Sequence, residues 1–418
     1  MKRKGCVLCV LFIVLINICY AQTNRAEDSK GKLVVDLDKA KILPEKDFLT
    51  STFFKSIKII PLETNESCLI GNITKIIVFE QYIFVLDNFI ANSLYVFDKE
   101  GRFIRKIGSI GQGPGEFDRI SDFAIDRVNK TVYIKGGRFP RIHKYDLATG
   151  KFIQTINFDL NAQGGHVNGF VSVGGKLYAD ATFSEHSDKN YLLFTIDESS
   201  GKEKDNYLNV MEYSKGISHE NGYFNRFVQF FLRDNGDAIF VQPFMSHVIE
   251  ITKDGVFSFI EFKGKNLLTV DESKRAKETF YYKNYQKQVQ NRTSIFDIDK
   301  YNHVMSYIEK GDYIIIDKLK GMRFHRLLIN KKTKEVSIFD KGYLDDLLFV
   351  NKENQISLTL GCYDANGVYY HAYNSEYTTR FQDLAKAGSL SPNIIGIEKL
   401  EKFDKEDNPV LFYYEFRE

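Results

Sequence analysis

The side chains best suited to chemistry in this chain are its histidines and carboxylates, and their spacing forms no local site. The eight histidines include no HxH or HExxH pair, and neither Cys68 nor Cys362 belongs to a CxxC motif. A zinc site built from neighbouring residues is therefore not expected. The sequence contains no G-x-S-x-G segment, which argues against a hydrolase with a nucleophile elbow.

A metal site could still form if the fold brought distant residues together around one axis. Carboxylate and amide oxygens suit Ca²⁺, and the ligands predicted for such a site are Glu63, Asp87, Asn168 and Asp364. This arrangement is the basis of an alternative hypothesis, a hydrolase or lyase that depends on Ca²⁺ or Zn²⁺. Apart from that alternative, the sequence predicts no cofactor.

Recognition is the second kind of chemistry that the residues suggest. Arginine and aromatic residues occur together in polar segments, a composition typical of binding hot spots. The predicted contact residues are Arg138, Phe139, Tyr223, Phe224 and Arg226, with His166 and His303 beside the same loops. We favour a binding or interaction module over an enzyme, with a glycan, a peptide or a cell-envelope protein as the partner.

A strand motif that returns about every fifty residues must position these side chains. Each copy has apolar strands rich in β-branched and aromatic residues, and a glycine lies in the turn before its last strand. These glycines are Gly101, Gly150, Gly201 and Gly255, at spacings of 49, 51 and 54 residues. A fixed period of this length is typical of a radial β architecture.

The repeat predicts an all-β, six-bladed β-propeller of four-stranded antiparallel blades. The first five blades are expected at about 73–109, 120–158, 167–210, 228–262 and 303–340. The sixth is expected to combine strands after Ile356 and at Pro409–Phe416 with the N-terminal strand Phe54–Glu63. Pairing the two ends of the chain in one blade would close the ring and protect its edges.

A family resemblance supports this fold. The segment Gly111–Asp126, GQGPGEFDRISDFAID, resembles the start of an NHL-type repeat. Together with Lys58–Ile73, it is similar to the exported six-bladed propellers that are abundant in Bacteroidetes. The resemblance covers residues 54–418 and implies the propeller fold, but it implies no catalytic residues.

Long loops are predicted on one face of the ring, where binding sites usually lie. They are 109–119, 136–140, 159–166, 184–189 and 211–227, with two partly helical insertions at about 263–302 and 375–407. Thr269 and Glu272 predict a capping box for the first insertion, and Ser375 and Gly388 predict the limits of a helix in the second. These helices either cap the ring or form the wall of a cleft over the axis.

The N-terminus has the three parts of an export signal: Lys2, Arg3 and Lys4, an apolar run, and small residues before a cleavage point after Ala21. A lipid anchor at Cys19 is the rival interpretation. Residues 1–21 are thus predicted as a signal peptide, 22–53 as a polar tether, and the protein as a monomer in the periplasm or at the outer-membrane surface.

Composition excludes some partners. Removal of the signal leaves 54 basic and 55 acidic residues, a net charge of −1. A nearly neutral chain argues against general nucleic-acid binding. No later segment is long and apolar enough for a transmembrane span. Cys68 and Cys362 either form one disulfide or remain as two buried thiols, and we favour the thiols.

Overall fold

Short apolar strands in groups of four build this protein, because the repeated pattern buries both faces of each small sheet. The computed structural model describes residues 26–137, 141–158, 167, 169–181, 190–215, 230–272, 298–321, 323–340, 345–350, 358–372 and 374–418. Strands are numbered β1–β28 and helices α1–α3 along the chain. The sheets are six blades of a β-propeller, as predicted.

The first three blades follow one another along the chain. Blade one contains β4 (Lys75–Phe79), β5 (Tyr82–Asp87), β6 (Ser93–Asp98) and β7 (Phe103–Ile107). Blade two contains β10 (Ile120–Asp126), β11 (Thr131–Gly136), β12 (Arg141–Asp146) and β13 (Phe152–Asn157). Blade three contains β14 (Phe170–Val173), β15 (Lys176–Asp180), β16 (Tyr191–Ile196) and β17 (Glu203–Asn209), followed by helix α1 (Val210–Tyr213). A short parallel pair, β8 (Ser109–Ile110) and β9 (Glu116–Phe117), lies between blades one and two.

The last three blades carry the additions to the repeat. Blade four contains β18 (Phe230–Leu232), β19 (Ala238–Phe240), β20 (His247–Thr252) and β21 (Gly255–Lys263). Blade five contains β22 (Tyr301–Lys310), β23 (Tyr313–Lys320), β24 (Arg323–Asn330) and β25 (Val336–Asp340). Blade six contains β26 (Thr359–Tyr363), β27 (Gly367–His371), β28 (Val410–Phe416) and β3 (Phe54–Pro61). Helices α2 (Ser375–Lys386) and α3 (Ile397–Glu401) lie between β27 and β28.

The two ends of the chain close the ring in blade six, as the sequence predicted. Strand β3 is the outermost strand and pairs antiparallel with β28, from Val410 opposite Pro61 to Phe416 opposite Phe54. Phe54 stacks on Phe416 with ring centroids 5.1 Å apart. The closure is therefore held by a full strand ladder and by buried aromatic rings.

The segment predicted as a polar tether is a strap along the outer edges of two blades. Strand β1 (Glu27–Asp36) pairs parallel with β21 of blade four, and β2 (Lys41–Pro44) pairs parallel with β25 of blade five. Two 3₁₀ turns, Glu45–Asp47 and Thr50–Thr52, then lead into β3. Residues 27–44, expected as a tether, therefore pair with two blades, and Leu33, Val35 and Leu37 enter the core.

The second insertion covers the outside of blade six and does not wall a cleft over the axis. Ile395 donates its N–H to Ile57 O at 2.8 Å, and Ile59 N–H donates to Ile395 O at 2.9 Å, so the insertion pairs with the edge of β3. Phe381 of α2 packs on Phe412 of β28 with ring centroids 4.8 Å apart. The insertion therefore protects the outer strand, which is the capping alternative.

The predicted helix limits agree with the structure at three of four positions. In the first insertion, Thr269 N–H donates to Glu272 Oε2 at 2.9 Å and Glu272 N–H donates to Thr269 Oγ1 at 3.3 Å, which forms the predicted capping box. Residues 273–297 lie outside the described chain. Helix α2 ends before Gly388, whose φ of +64° suits glycine. Its cap is Asn374 and not Ser375, because Asn374 Oδ1 accepts from Tyr377 N–H at 3.1 Å.

Cys68 and Cys362 are free thiols. Within the described ranges no helix is long and apolar enough to cross a membrane. The predicted signal peptide, residues 1–21, lies outside them.

Candidate functional site

A buried carboxylate at the end of β5 connects two loops of the long-loop face. Asp87 Oδ2 accepts from the N–H groups of Gly71 and Asn72 at 2.8 and 2.9 Å, and its Oδ1 accepts from those of Phe89 and Ile90 at 3.1 and 2.8 Å. The connection before β4 and the loop after β5 are thus fixed to each other. Asp87 therefore holds these two segments in one fixed arrangement.

Three large apolar side chains on these two segments are exposed to solvent. Phe89 and Ile90 are each 62% exposed, and Leu69 on the neighbouring connection is 54% exposed. A Cβ at Gly71 would lie 2.6 Å from Ile90, so the glycine is what lets Ile90 pack beside the connection. We call Leu69, Phe89 and Ile90 the apolar ridge. Clustered exposed apolar side chains on fixed loops are typical of interaction sites.

Arg119 links this ridge to the loop after β11. Its guanidinium donates to Asn88 O at 3.4 Å, and its carbonyl accepts from Gly137 N–H at 2.7 Å. Asn88 Nδ2 in turn donates to Ser121 O at 2.7 Å. The loops after β5 and β11 therefore lie side by side. The second of these continues into the predicted contact residues Arg138 and Phe139, which lie outside the described chain.

A chain of charged side chains lies at the inner strands beside the ridge. Lys75 Nζ donates to Asp122 Oδ1 at 2.7 Å, while Asp122 Oδ2 accepts from Phe170 N–H at 3.0 Å. Lys135 is 8% exposed and donates to Ser121 Oγ at 2.9 Å. Burial lowers the pKa of Lys135, and the nearby charges of Asp122 and Asp180 oppose that shift. The mouth of the axis is thus polar on the side of blades one to three.

Every blade contributes a buried polar side chain within two residues of the end of its second strand. These residues are Asp87, Lys135, Asp180, Gln242, Lys318 and His371. Several of these side chains form hydrogen bonds with the backbone. Asp180 Oδ1 accepts from Gly169 N–H at 2.7 Å, and Gln242 Nε2 donates to Ala181 O at 3.1 Å. Burial lowers the pKa of His371 to about 4, so the imidazole is neutral. The sequence analysis did not predict this ring of polar residues. The sequence pattern that indicates it is a polar residue near the end of each apolar second strand.

At the opposite end of the ring, one arginine connects three blades. Arg127 follows β10 of blade two and donates to Asp234 O of blade four at 2.7 Å, past blade three. Its guanidinium also lies 5.2 Å from the centroid of the Phe79 ring of blade one. Burial lowers the pKa of Arg127. The guanidinium of Arg127 therefore connects blades one, two and four at the end of the ring opposite the long-loop face.

The carboxylates predicted as metal ligands do not come together. Glu63 Oε2 accepts from Phe103 N–H at 2.8 Å, and Asp364 Oδ1 accepts from the N–H groups of Asn366 and Gly367, both at 2.9 Å. Asp364 lies in the turn after β26, at the other end of the ring from Asp87. In the part of the chain that the structure describes, no group of three or more His, Cys, Asp or Glu residues could hold a metal ion. Asn168 lies outside that part, and the calcium or zinc site stays a hypothesis.

Most predicted contact residues also lie outside the described ranges, namely Arg138, Phe139, His166, Tyr223, Phe224 and Arg226. His303 is described and is 1% exposed within β22, so it is a core residue and not a surface contact. The ridge residues Phe89 and Ile90 were missed by the sequence analysis. Their signal is an apolar pair between Asn88 and Asn92 in a loop that should otherwise be polar.

Comparison with known proteins places this fold in a family. The model of a family described as a domain of unknown function, DUF4934, matches residues 32–415. A solved structure from Bacteroides fragilis NCTC 9343, provisionally described as an exported protein, superimposes with a TM-score of 0.68 at 16% identity, over 92% of this chain and 100% of that chain. At this identity the likeness shows the fold. The two matches confirm the resemblance to exported six-bladed propellers, while the NHL-type repeat stays a prediction.

Two further solved structures are more distant. A DUF4221 member from Bacteroides vulgatus gives a TM-score of 0.46 at 9% identity, over 87% of this chain and 97% of its own. PorZ of Porphyromonas gingivalis, described as a surface component of the type-IX secretion system, gives 0.35 at 13% identity, over 74% of this chain and 32% of its own. No curated protein matches the sequence.

Proposed function

The chain belongs to the DUF4934 family, and we propose that it is an exported interaction module that binds a protein partner of the cell envelope through the long-loop face of blades one and two. The observation that carries this proposal is the apolar ridge, whose Phe89 and Ile90 are each 62% exposed on a loop fixed by Asp87. The proposed location is the periplasm or the outer-membrane surface, as the export signal predicts.

Rigidity of the ridge favours recognition. The first half of its loop is fixed, because Phe89 and Ile90 donate their N–H groups to Asp87 and the Asn88 side chain donates to Ser121 O. Asp87 also accepts from Gly71 and Asn72 on the neighbouring connection. A loop that is already ordered loses little conformational entropy when a partner binds. Burial of two large apolar side chains in an interface contributes about 1.5–3 kcal/mol each. The ridge can therefore supply a substantial part of the affinity.

Residue types favour a protein segment over a glycan. Phe89 is the one aromatic residue of the ridge, and Leu69 and Ile90 offer branched aliphatic surface. Aliphatic surface complements the apolar side chains of a peptide, whereas it offers few hydrogen bonds to sugar hydroxyls. The neighbouring Arg138 and Phe139 are proposed to extend the same contact surface.

Photocrosslinking in the organism that encodes the chain tests this proposal. We expect a benzoylphenylalanine at position 89 to give a discrete protein adduct, because the ridge contacts the partner. The matched control is the same residue at position 128, where Val128 is 66% exposed in a turn at the opposite end of the ring. Thermal unfolding of both purified variants checks that the fold is intact. Absence of an adduct at 89, or the same adduct at 128, would refute the proposal.

A further inference from the structure

Among the residues that the structure describes, Arg119 beside the apolar ridge has no anionic partner. The residue is exposed, and its guanidinium makes one long hydrogen bond, to Asn88 O at 3.4 Å. No carboxylate contacts it among the residues that the structure describes. A guanidinium offers five N–H donors in a planar fork that matches a carboxylate. Arg119 thus presents an unused recognition group next to Phe89.

Lys135 supplies a second positive charge, and no carboxylate of the described ranges contacts it. It is 8% exposed and donates to two neutral oxygens, Ser121 Oγ at 2.9 Å and Gly136 O at 3.5 Å. The nearby Asp122 already binds Lys75 with one oxygen and Phe170 N–H with the other. Lys135 is thus a buried cation beside the charges of Asp122 and Asp180, and Arg119 is the exposed cation of this surface.

Ser121 and Asn88 connect these two cations to the ridge. Ser121 joins them, because its Oγ accepts from Lys135 and its carbonyl accepts from Asn88 in the loop of Phe89 and Ile90. Residue 119 contacts the same loop through Asn88 O. Apolar and cationic groups are thus presented together on two loops held in fixed relation.

We propose that the partner segment bound at the ridge carries an aspartate or glutamate next to an apolar residue, with the carboxylate on Arg119 and the apolar side chain on Phe89 and Ile90. This inference rests on the proposed function and adds the chemistry of the partner. A sulfated glycan would satisfy the cations but would leave the ridge without an apolar counterpart.

The test uses the adduct formed at position 89. Arg119→Gln should lower the yield about tenfold or more, as expected for loss of a charge-assisted hydrogen bond. The matched control is Arg323→Gln, which removes the same charge from an exposed arginine at the long-loop end of blade five, and its yield should not change. Higher salt should lower the yield for the natural chain and have little effect on the Arg119 variant.

Mass spectrometry of the adduct completes the test. We expect the cross-linked peptide to have an acidic residue within a few positions of an apolar attachment site. An adduct that forms equally in the Arg119 variant, that lacks a nearby acidic residue, or that is a glycan would overturn this inference. If no adduct forms at position 89 in the natural chain, the proposed function itself fails, so the two failures are distinguishable.

Discussion

Lys318 holds an ammonium group at a place where the described residues offer it no anion. It is 1% exposed in β23, and its Nζ lies 4.7 Å from the centroid of the Phe262 ring of blade four. Burial lowers its pKa from 10.5 to about 7. Because the folded protein holds this proton less tightly than the unfolded chain, the group costs stability wherever the unfolded lysine is charged.

Lys318→Met should therefore stabilise the protein at pH 7, by about 4 kcal/mol. The free energy of unfolding of the natural chain should rise from pH 7 towards pH 10.5, because the penalty disappears as the unfolded lysine also loses its proton. The variant should lack that component of the rise. Denaturant titrations at several pH values measure both effects.

The matched control for this prediction is Lys99→Met, at an exposed position of the turn after β6. Its stability should change little and its pH dependence should stay that of the natural chain. A Lys318 variant that is less stable than the natural chain at pH 7 would show that the ammonium has a stabilising partner.

Individual site residues were the features that the sequence predicted least well. Arg138 and Phe139 were predicted as contacts because an arginine and an aromatic residue occur together there. The structure describes the loop that leads to them but not the two residues. Glu63, Asp87 and Asp364 were chosen as oxygen ligands, yet backbone N–H groups occupy their oxygens. Such bonds depend on turn geometry and on tertiary distances, which residue type does not specify.

Among the elements, the strap shows what local patterns cannot predict. Its apolar segment KLVVDL is short and is surrounded by charge, so it has no distinctive period. Its partners in blades four and five lie more than 200 residues away in sequence, as Asp38 and Lys265 illustrate with a separation of 227. The blades themselves were predictable, because each is built from adjacent strands with a repeated pattern and a glycine turn.

Two neighbouring valines test the register of the strap. Val35 is 1% exposed, whereas Val34 is 53% exposed, since successive side chains of β1 point to opposite faces. Val35→Ala should lower the free energy of unfolding by about 2 kcal/mol, and Val34→Ala should change it by less than about 0.5 kcal/mol. Equal effects in chemical denaturation would show that the strap is not paired in this register.

For the whole molecule, closure of the ring depends on its last strand. Ser56 donates to Glu415 at 2.9 Å across a sequence separation of 359 residues, and the ladder from Val410 to Phe416 joins β3 to the rest of blade six. Deletion of residues 410–418 should abolish cooperative folding, because it exposes the edges of both β3 and β27. Circular dichroism and thermal unfolding measure this outcome.

A chain that begins at residue 26 is the control for that deletion, since it keeps every described strand and should fold. A soluble chain that lacks 410–418 and still unfolds cooperatively would contradict the role assigned to closure.

The position of the strap also decides how the molecule carries mechanical force. Strands β1 and β2 precede β3 along the chain and are bound to blades four and five, whereas β3 completes blade six. A pull on the segment before Ala26 must therefore detach two parallel strands before any tension reaches the closing ladder. Tension on the N-terminal end thus separates β1 and β2 from blades four and five first. The ring and the loops that the ring supports can keep their shape meanwhile.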